Sequence, residues 1–115
     1  MKERRQFTRE QADWLAEIYT NDTIFTSPVR NLSLGGAELI RPQLWRPKVR
    51  HFCKVSFSDM NPAHTLEVRM QICWVTDFSV GLKYHDLELM QKIKLNKIIS
   101  EISQTSAFGG SQFVM

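Results

Sequence analysis

The sequence predicts an all-β fold with a C-terminal helix, a small antiparallel β-barrel. Three observations predict it. Residues 65–75, TLEVRMQICWV, alternate, with Leu66, Val68, Met70, Ile72 and Trp74 on one face and Glu67, Arg69 and Gln71 on the other, the two-residue period of a half-buried strand. Short segments of this kind recur between turn-forming residues, and several short strands with frequent turns build small barrels. Residues 86–103, DLELMQKIKLNKIISEIS, abandon that rhythm, and Leu87, Met90, Ile93, Ile98 and Ile102 recur at helical spacing, supported by Leu95 and Ile99.

Taken in chain order, residues 10–20, EQADWLAEIYT, fit two patterns. Ala12, Trp14, Ala16 and Ile18 alternate as in a strand, whereas Trp14, Leu15, Ile18 and Tyr19 make a helical face and the Ala and Glu content favours helix. TIFTSPVR (23–30) and GAELIR (36–41) are short strand candidates. RPQLWRPK, bracketed by Pro42 and Pro47, is a loop, because proline cannot donate to a sheet ladder. VRHFCKVSF (49–57) sets Val49, His51, Cys53, Val55 and Phe57 against Arg50, Lys54 and Ser56, and pairs antiparallel with 65–75 through the turn residues of SDMNPAH. SVGLKYH follows the hairpin turn TDF, with Val80, Leu82 and Tyr84 in phase. Asp86 is placed to cap the helix, whose apolar stripe plugs the barrel. The final residues, 104–115, lack periodicity and form a tail carrying Phe108 and Phe113.

A chain of 115 residues, 43% hydrophobic and 23% charged, supplies the apolar mass for one core and one domain. No apolar run approaches the ~20 residues of a membrane helix, and the basic residues 1–9 precede no signal-peptide core. A soluble, cytoplasmic protein without membrane insertion is expected. Cys53 and Cys73 lie within apolar-periodic segments, outside any CxxC pair, and are expected as buried reduced thiols. His51, His64 and His85 do not join them at ligand spacing, so neither metal nor cofactor is expected. Charge is uneven: Lys2, Arg4, Arg5 and Arg9 face Glu3 alone in residues 1–9, and Arg30, Arg41, Arg46, Lys48, Arg50 and Lys54 face Glu38 alone in residues 30–54. If folding joins those segments, the positive surface concentrates an anionic partner such as a phosphate ligand or nucleic acid.

Two stretches carry chemistry. In RRQFTR (4–9), arginine forks at Arg4, Arg5 and Arg9 suit phosphate oxygens and the guanine O6/N7 edge, and their planes stack on bases. In RNLSLGG (30–36), Asn31 donates and accepts, Ser33 adds a hydroxyl, and Gly36 admits close approach or positive φ. The same residue types also make an ordinary turn at the start of a strand. Nothing resembles a nucleophile elbow, a P-loop or HExxH, so catalysis is not expected.

Together the two stretches resemble the PilZ domain, a bacterial receptor module for cyclic di-GMP, whose pattern is RxxxR followed by [D/N]xSxxG. The matching residues are Arg5-Gln6-Phe7-Thr8-Arg9 and Asn31-Leu32-Ser33-Leu34-Gly35-Gly36; GAELI, LEVRMQICWV, VGLKYHDL and the closing helix extend the likeness over roughly residues 3–103. The resemblance implies a six-stranded antiparallel barrel, with an arginine arm at 1–10 and the barrel and helix over 11–103, and it resolves ADWLAEIY as a strand. It implies that Arg5 and Arg9 grip guanine and phosphate with Arg4 assisting, that Asn31 and Ser33 bond a guanine edge, that Gly36 clears the way, and that Arg30 is an extra phosphate contact. The implied function is a non-catalytic receptor that changes shape on binding cyclic di-GMP, singly or as an intercalated pair, to regulate an unidentified protein partner in motility, exopolysaccharide production or virulence. Many family members carry Asp where this chain has Asn31. The alternatives are a degenerate interaction module that binds no nucleotide and a basic barrel for single-stranded nucleic acid. The latter is disfavoured because Phe52, Phe57 and Trp74 are expected on or beside core faces. Monomer and homodimer both remain open.

Overall fold

The computed structural model describes residues 14–59 and 64–105. Six strands run β1 (Leu15–Tyr19), β2 (Ile24–Leu32), β3 (Gly36–Ile40), β4 (Phe52–Ser58), β5 (Leu66–Val75) and β6 (Ser79–His85), followed by helix α1 (Leu89–Thr105). They pair antiparallel in the closed order β1-β2-β3-β6-β5-β4. Closure is made by β1 against β4, with Ala16 opposite Phe57 and Ile18 opposite Val55. This is the small barrel with a C-terminal helix that the pattern predicts, with the six strands that the resemblance implies, and its closure leaves no unpaired sheet edge.

Residues 10–20 settle as strand from Leu15 onward. Ala16 and Ile18 are fully buried while Leu15 and Glu17 face outward, an arrangement that the period of two satisfies and a helical face does not. The interior is filled by Ile18, Val29, Leu39, Val55, Phe57, Val68, Met70 and Val80. In the loop from β3 to β4, Trp45 is buried against the core with Phe25 beside it, ring centroids 6.2 Å apart. Arg41 ties this loop down: its Nε donates to the Trp45 carbonyl and an Nη to the Thr76 carbonyl.

β4 begins at Phe52 rather than at 49. The loop turns at Val49 and Arg50, where Arg50 takes φ 78° and the His51 amide donates to the Lys48 carbonyl, so Val49 and His51 are exposed instead of facing the core. Phe52 is likewise exposed, with the Arg69 guanidinium over its ring and His85 against it. Of the three aromatics expected on or beside core faces, Phe57 alone is fully buried.

The helix starts three residues later than its apolar spacing predicts, and Asp86 does not cap it. Asp86 lies at φ 55°; the cap position falls to Glu88, whose carbonyl accepts from Lys92 and whose amide is bonded by the Gln91 side chain, one half of a capping box. Gln91 also donates to the Glu67 carbonyl of β5. Leu95 and Ile98 are buried, with Ile99 and Ile102 packed beside them, whereas Met90 and Ile93 from the expected stripe are exposed. The buried face is thus 91, 95, 98 and 102, and the helix leans on β5. Its later turns are held by His64, whose Nε2 meets Glu101 and whose Nδ1 meets Asp59, each at 2.8 Å, while its ring stacks on Trp14. Among the described residues no helix is long and apolar enough to cross a membrane.

Because Ile98 is an integral core residue, Ile98→Ala should destabilise the protein by about 2–4 kcal/mol in urea denaturation. Ile93→Ala, which removes a half-exposed side chain on the opposite face, should stay within about 0.5 kcal/mol of wild type.

Candidate functional site

Where β2 ends, Leu32 is buried and the chain turns through Ser33-Leu34-Gly35-Gly36 into β3. The Ser33 amide donates to the Gly36 carbonyl at 2.9 Å, closing the turn. The Ser33 hydroxyl then accepts from the amides of Gly35 and Gly36 at 3.2 and 3.3 Å and lies 3.2 Å from the Gly36 carbonyl. This is the local side-chain turn chemistry that serine offers. Tyr84 of β6 braces the corner from behind, its hydroxyl donating to the Ser33 carbonyl at 2.8 Å. Burial pushes the Tyr84 phenol well above its ordinary pKa, so it stays a donor.

Gly36 is required by the barrel itself. Its φ is not positive, but a Cβ there would collide with the Leu82 carbonyl of β6. Glycine permits β3 and β6 to approach at this rung.

Asn31 pairs with Glu38, Glu38 with Gly81, and Gly81 with Trp74, so one cross-strand row runs over β2, β3, β6 and β5 on the outside of the barrel. Two β-bulges create it. Between Val29 and Asn31 the register shifts and Arg30 is the extra residue; between Ile72 and Trp74 it shifts again and Cys73 is extra. Each bulge puts two consecutive side chains outside, Arg30 with Asn31 and Cys73 with Trp74. Trp74 is 42% exposed, and its indole lies over Gly81, where a Cβ would strike the ring. The row lines an open depression of about 300 Å³ with Ser33, Gly35 and Gly36 at its upper edge. Arg30 Nε stands 3.8 Å from the Glu38 carboxylate.

The structure therefore brings Arg30, Asn31, Ser33 and Gly36 to one face; Arg4, Arg5 and Arg9 lie outside the described residues. Trp74 and Cys73 are corrections: strict alternation sends Trp74 inward and the bulge turns it out, while Cys73, expected as a buried thiol, continues the outward phase of Glu67 and Arg69 and is exposed. Trp74, Glu38 and Gly81 are the wall residues that sequence reasoning misses. The available signal was Gly81, since a glycine inside a strand marks a bulge or a close approach. A larger depression of about 450 Å³ lies elsewhere, over Phe52, Lys54, Glu67, Arg69 and Gln91. Its Lys54 and Glu67 are paired to each other at 3.4 Å, and among the described residues Arg30, Asn31, Ser33 and Gly36 do not line it.

The architecture is that of a small closed-barrel module with a polar corner and an aromatic platform on its outer wall. A family model for the PilZ domain matches residues 3–101, and the chain belongs to that family. Among solved structures it is similar to the PilZ domain of CeSA from a cellulose synthesizing bacterium, with TM-score 0.62, 17% identity, and coverage of 80% of this chain and 94% of that one. It is also similar to an uncharacterized Legionella protein, with TM-score 0.54, 12% identity, and coverage of 77% and 86%. The third is the Borreliella burgdorferi PlzA protein, solved in complex with c-di-GMP, with TM-score 0.51, 16% identity, and coverage of 80% of this chain and 36% of that one. At these identities the likeness is one of fold. A sequence search of curated proteins returned no significant match.

The two thiols should separate chemically. Cys73 is exposed, whereas burial raises the Cys53 thiol to about 11. Near pH 8 the folded protein should be alkylated by iodoacetamide at Cys73 at least about tenfold faster than at Cys53, read by peptide mass spectrometry. Raising the pH towards 11 should accelerate Cys53, because its thiolate then forms.

Proposed function

We propose that this chain is a non-catalytic receptor for cyclic di-GMP, bound across the outer wall of β2, β3, β6 and β5. The observation that carries the reading is the row Asn31–Glu38–Gly81–Trp74, which sets a base-edge amide and an exposed indole on one face beside the Ser33–Gly36 corner. Membership of the PilZ family and the fold shared with PlzA, which is solved with c-di-GMP, support it.

Each group has a chemical part. The Trp74 indole offers a flat apolar face on which a guanine stacks. Asn31 bonds the guanine edge with one accepting and one donating group. The Ser33 hydroxyl, already oriented by the Gly35 and Gly36 amides, bonds beside it. Arg5 and Arg9 of the arm bring delocalised cations that bind the phosphates bidentately and cover the second face of a base, with Arg4 assisting and Arg30 adding charge at the wall. Binding draws residues 1–10 against the barrel, and that change presents a new surface to a protein partner whose output is motility, exopolysaccharide production or virulence.

Calorimetric titration with cyclic di-GMP should show binding, and Arg5→Ala and Ser33→Ala should each weaken it by about tenfold or more, the scale of one lost charge-assisted or oriented hydrogen bond. No heat at high micromolar ligand, or variants that bind as well as wild type, refutes the assignment. The exposure of Trp74 gives single-stranded nucleic acid one stacking platform, so that titration belongs beside the first. Comparable affinity with a steep salt slope would favour nucleic acid.

The tryptophans report on the site directly. Trp14 and Trp45 are buried at 4% and 6% exposure, and Trp74 alone stands open to solvent. Cyclic di-GMP should quench the protein's emission, and Trp74→Phe should abolish the quench. A response retained in that variant would place the ligand elsewhere.

A further inference from the structure

We infer that Glu38 supplies the guanine-reading carboxylate of this site, in place of an acid at position 31. The inference rests on the cyclic di-GMP reading above and adds to it the residue that selects guanine.

Guanine presents two adjacent donors on its Watson–Crick edge, N1–H and the exocyclic amine, and a carboxylate accepts both with its two oxygens. An amide has one accepting oxygen, and its NH₂ group opposes one of those donors. Asn31 can thus pair with O6 and N1–H, but it does not serve the pair of adjacent donors that a carboxylate accepts. Glu38 stands directly opposite Asn31 across the β2–β3 ladder, a spacing of about 5 Å between Cβ atoms. On its other side the row continues to Gly81, which has no side chain, and then to Trp74. A base stacked on the indole thus meets Glu38 before it meets Asn31 along this row. Glu38 lines the depression with a side chain 29% exposed, partly shielded and still reachable.

A carboxylate beside a ligand that carries two phosphates needs compensation, and the wall contains it. Arg30, on the outer side of β2 beside Asn31, has its Nε 3.8 Å from Glu38 Oε2. That guanidinium offsets the repulsion between the acid and the phosphates. Adenine reverses the pattern on the same edge, with an acceptor at N1 and a donor at N6, so an ionised Glu38 rejects it. Position 38 accordingly selects cyclic di-GMP over cyclic di-AMP.

The test is calorimetry with both dinucleotides on wild type, Glu38→Gln and the double variant Asn31→Asp/Glu38→Gln, with thermal melts to verify folding. Glu38→Gln should weaken cyclic di-GMP binding about tenfold to a hundredfold, the scale of one bidentate base contact, and should narrow the preference over cyclic di-AMP, whose edge a glutamine amide matches. Restoring an acid one rung away in the double variant should recover much of the loss. A Glu38 that only pairs with Arg30 would show neither the altered preference nor the rescue. Wild-type binding with Glu38→Gln equally tight, or equally weakened for both dinucleotides without rescue, overturns the inference and leaves the receptor reading intact. Absence of wild-type binding to cyclic di-GMP overturns both.

Discussion

A β-bulge admits one residue that has no cross-strand partner, and beyond it the inward and outward alternation starts again. At Cys73 that restart turns Trp74 away from the core and lays its indole over Gly81. At Arg30 it leaves a cation beside Asn31, both on the outside. The whole character of this wall depends on those two insertions: without them Trp74 would be one more core side chain, and the strands would present an ordinary alternating polar surface. The core tolerates them because Ile72 and Leu82, and Val29 and Leu39, still pair across the rungs on the near side of each bulge.

The corner at Ser33 shows why a binding motif and a folding motif are hard to separate. Its hydroxyl is already engaged with the amides of Gly35 and Gly36 and lies near the Gly36 carbonyl. Gly36 is glycine because the Leu82 carbonyl occupies the place of a side chain. Tyr84 fixes the Ser33 carbonyl from the strand behind. Such a corner is preorganised: a ligand meeting it orders little that the fold has not already ordered, which preserves affinity. It also means that substitutions here act on stability in their own right.

The helix divides its apolar residues between two uses. Leu95 and Ile98 join the core and Ile99 and Ile102 pack beside it, while Leu89, Met90 and Ile93 remain exposed on the first turns. Two anchors decide this split. Gln91 is bonded to the Glu67 carbonyl at one end, and Glu101 meets His64 at the other. A helix pinned at both ends to the flank of β5 can bury only the face that looks at the barrel.

Local pattern determined most of the architecture. The period of two in LEVRMQI, the turn residues of SDMNPAH and TDF, and the helical spacing of Leu95, Ile98 and Ile102 are properties of short segments, since they follow from the geometry of single strands and helices. The paired motifs also named Asn31, Ser33 and Gly36 as neighbours, because all three sit in one turn. Residues 15–19 were ambiguous locally and became a strand through pairing with β2 and β4. The exposure of Trp74, the place of Glu38 between Asn31 and Gly81, and the collision that makes Gly36 obligatory were decided only in the tertiary structure. Register is a relation between strands: a one-residue bulge alters no local propensity, yet it reverses which way every later side chain points.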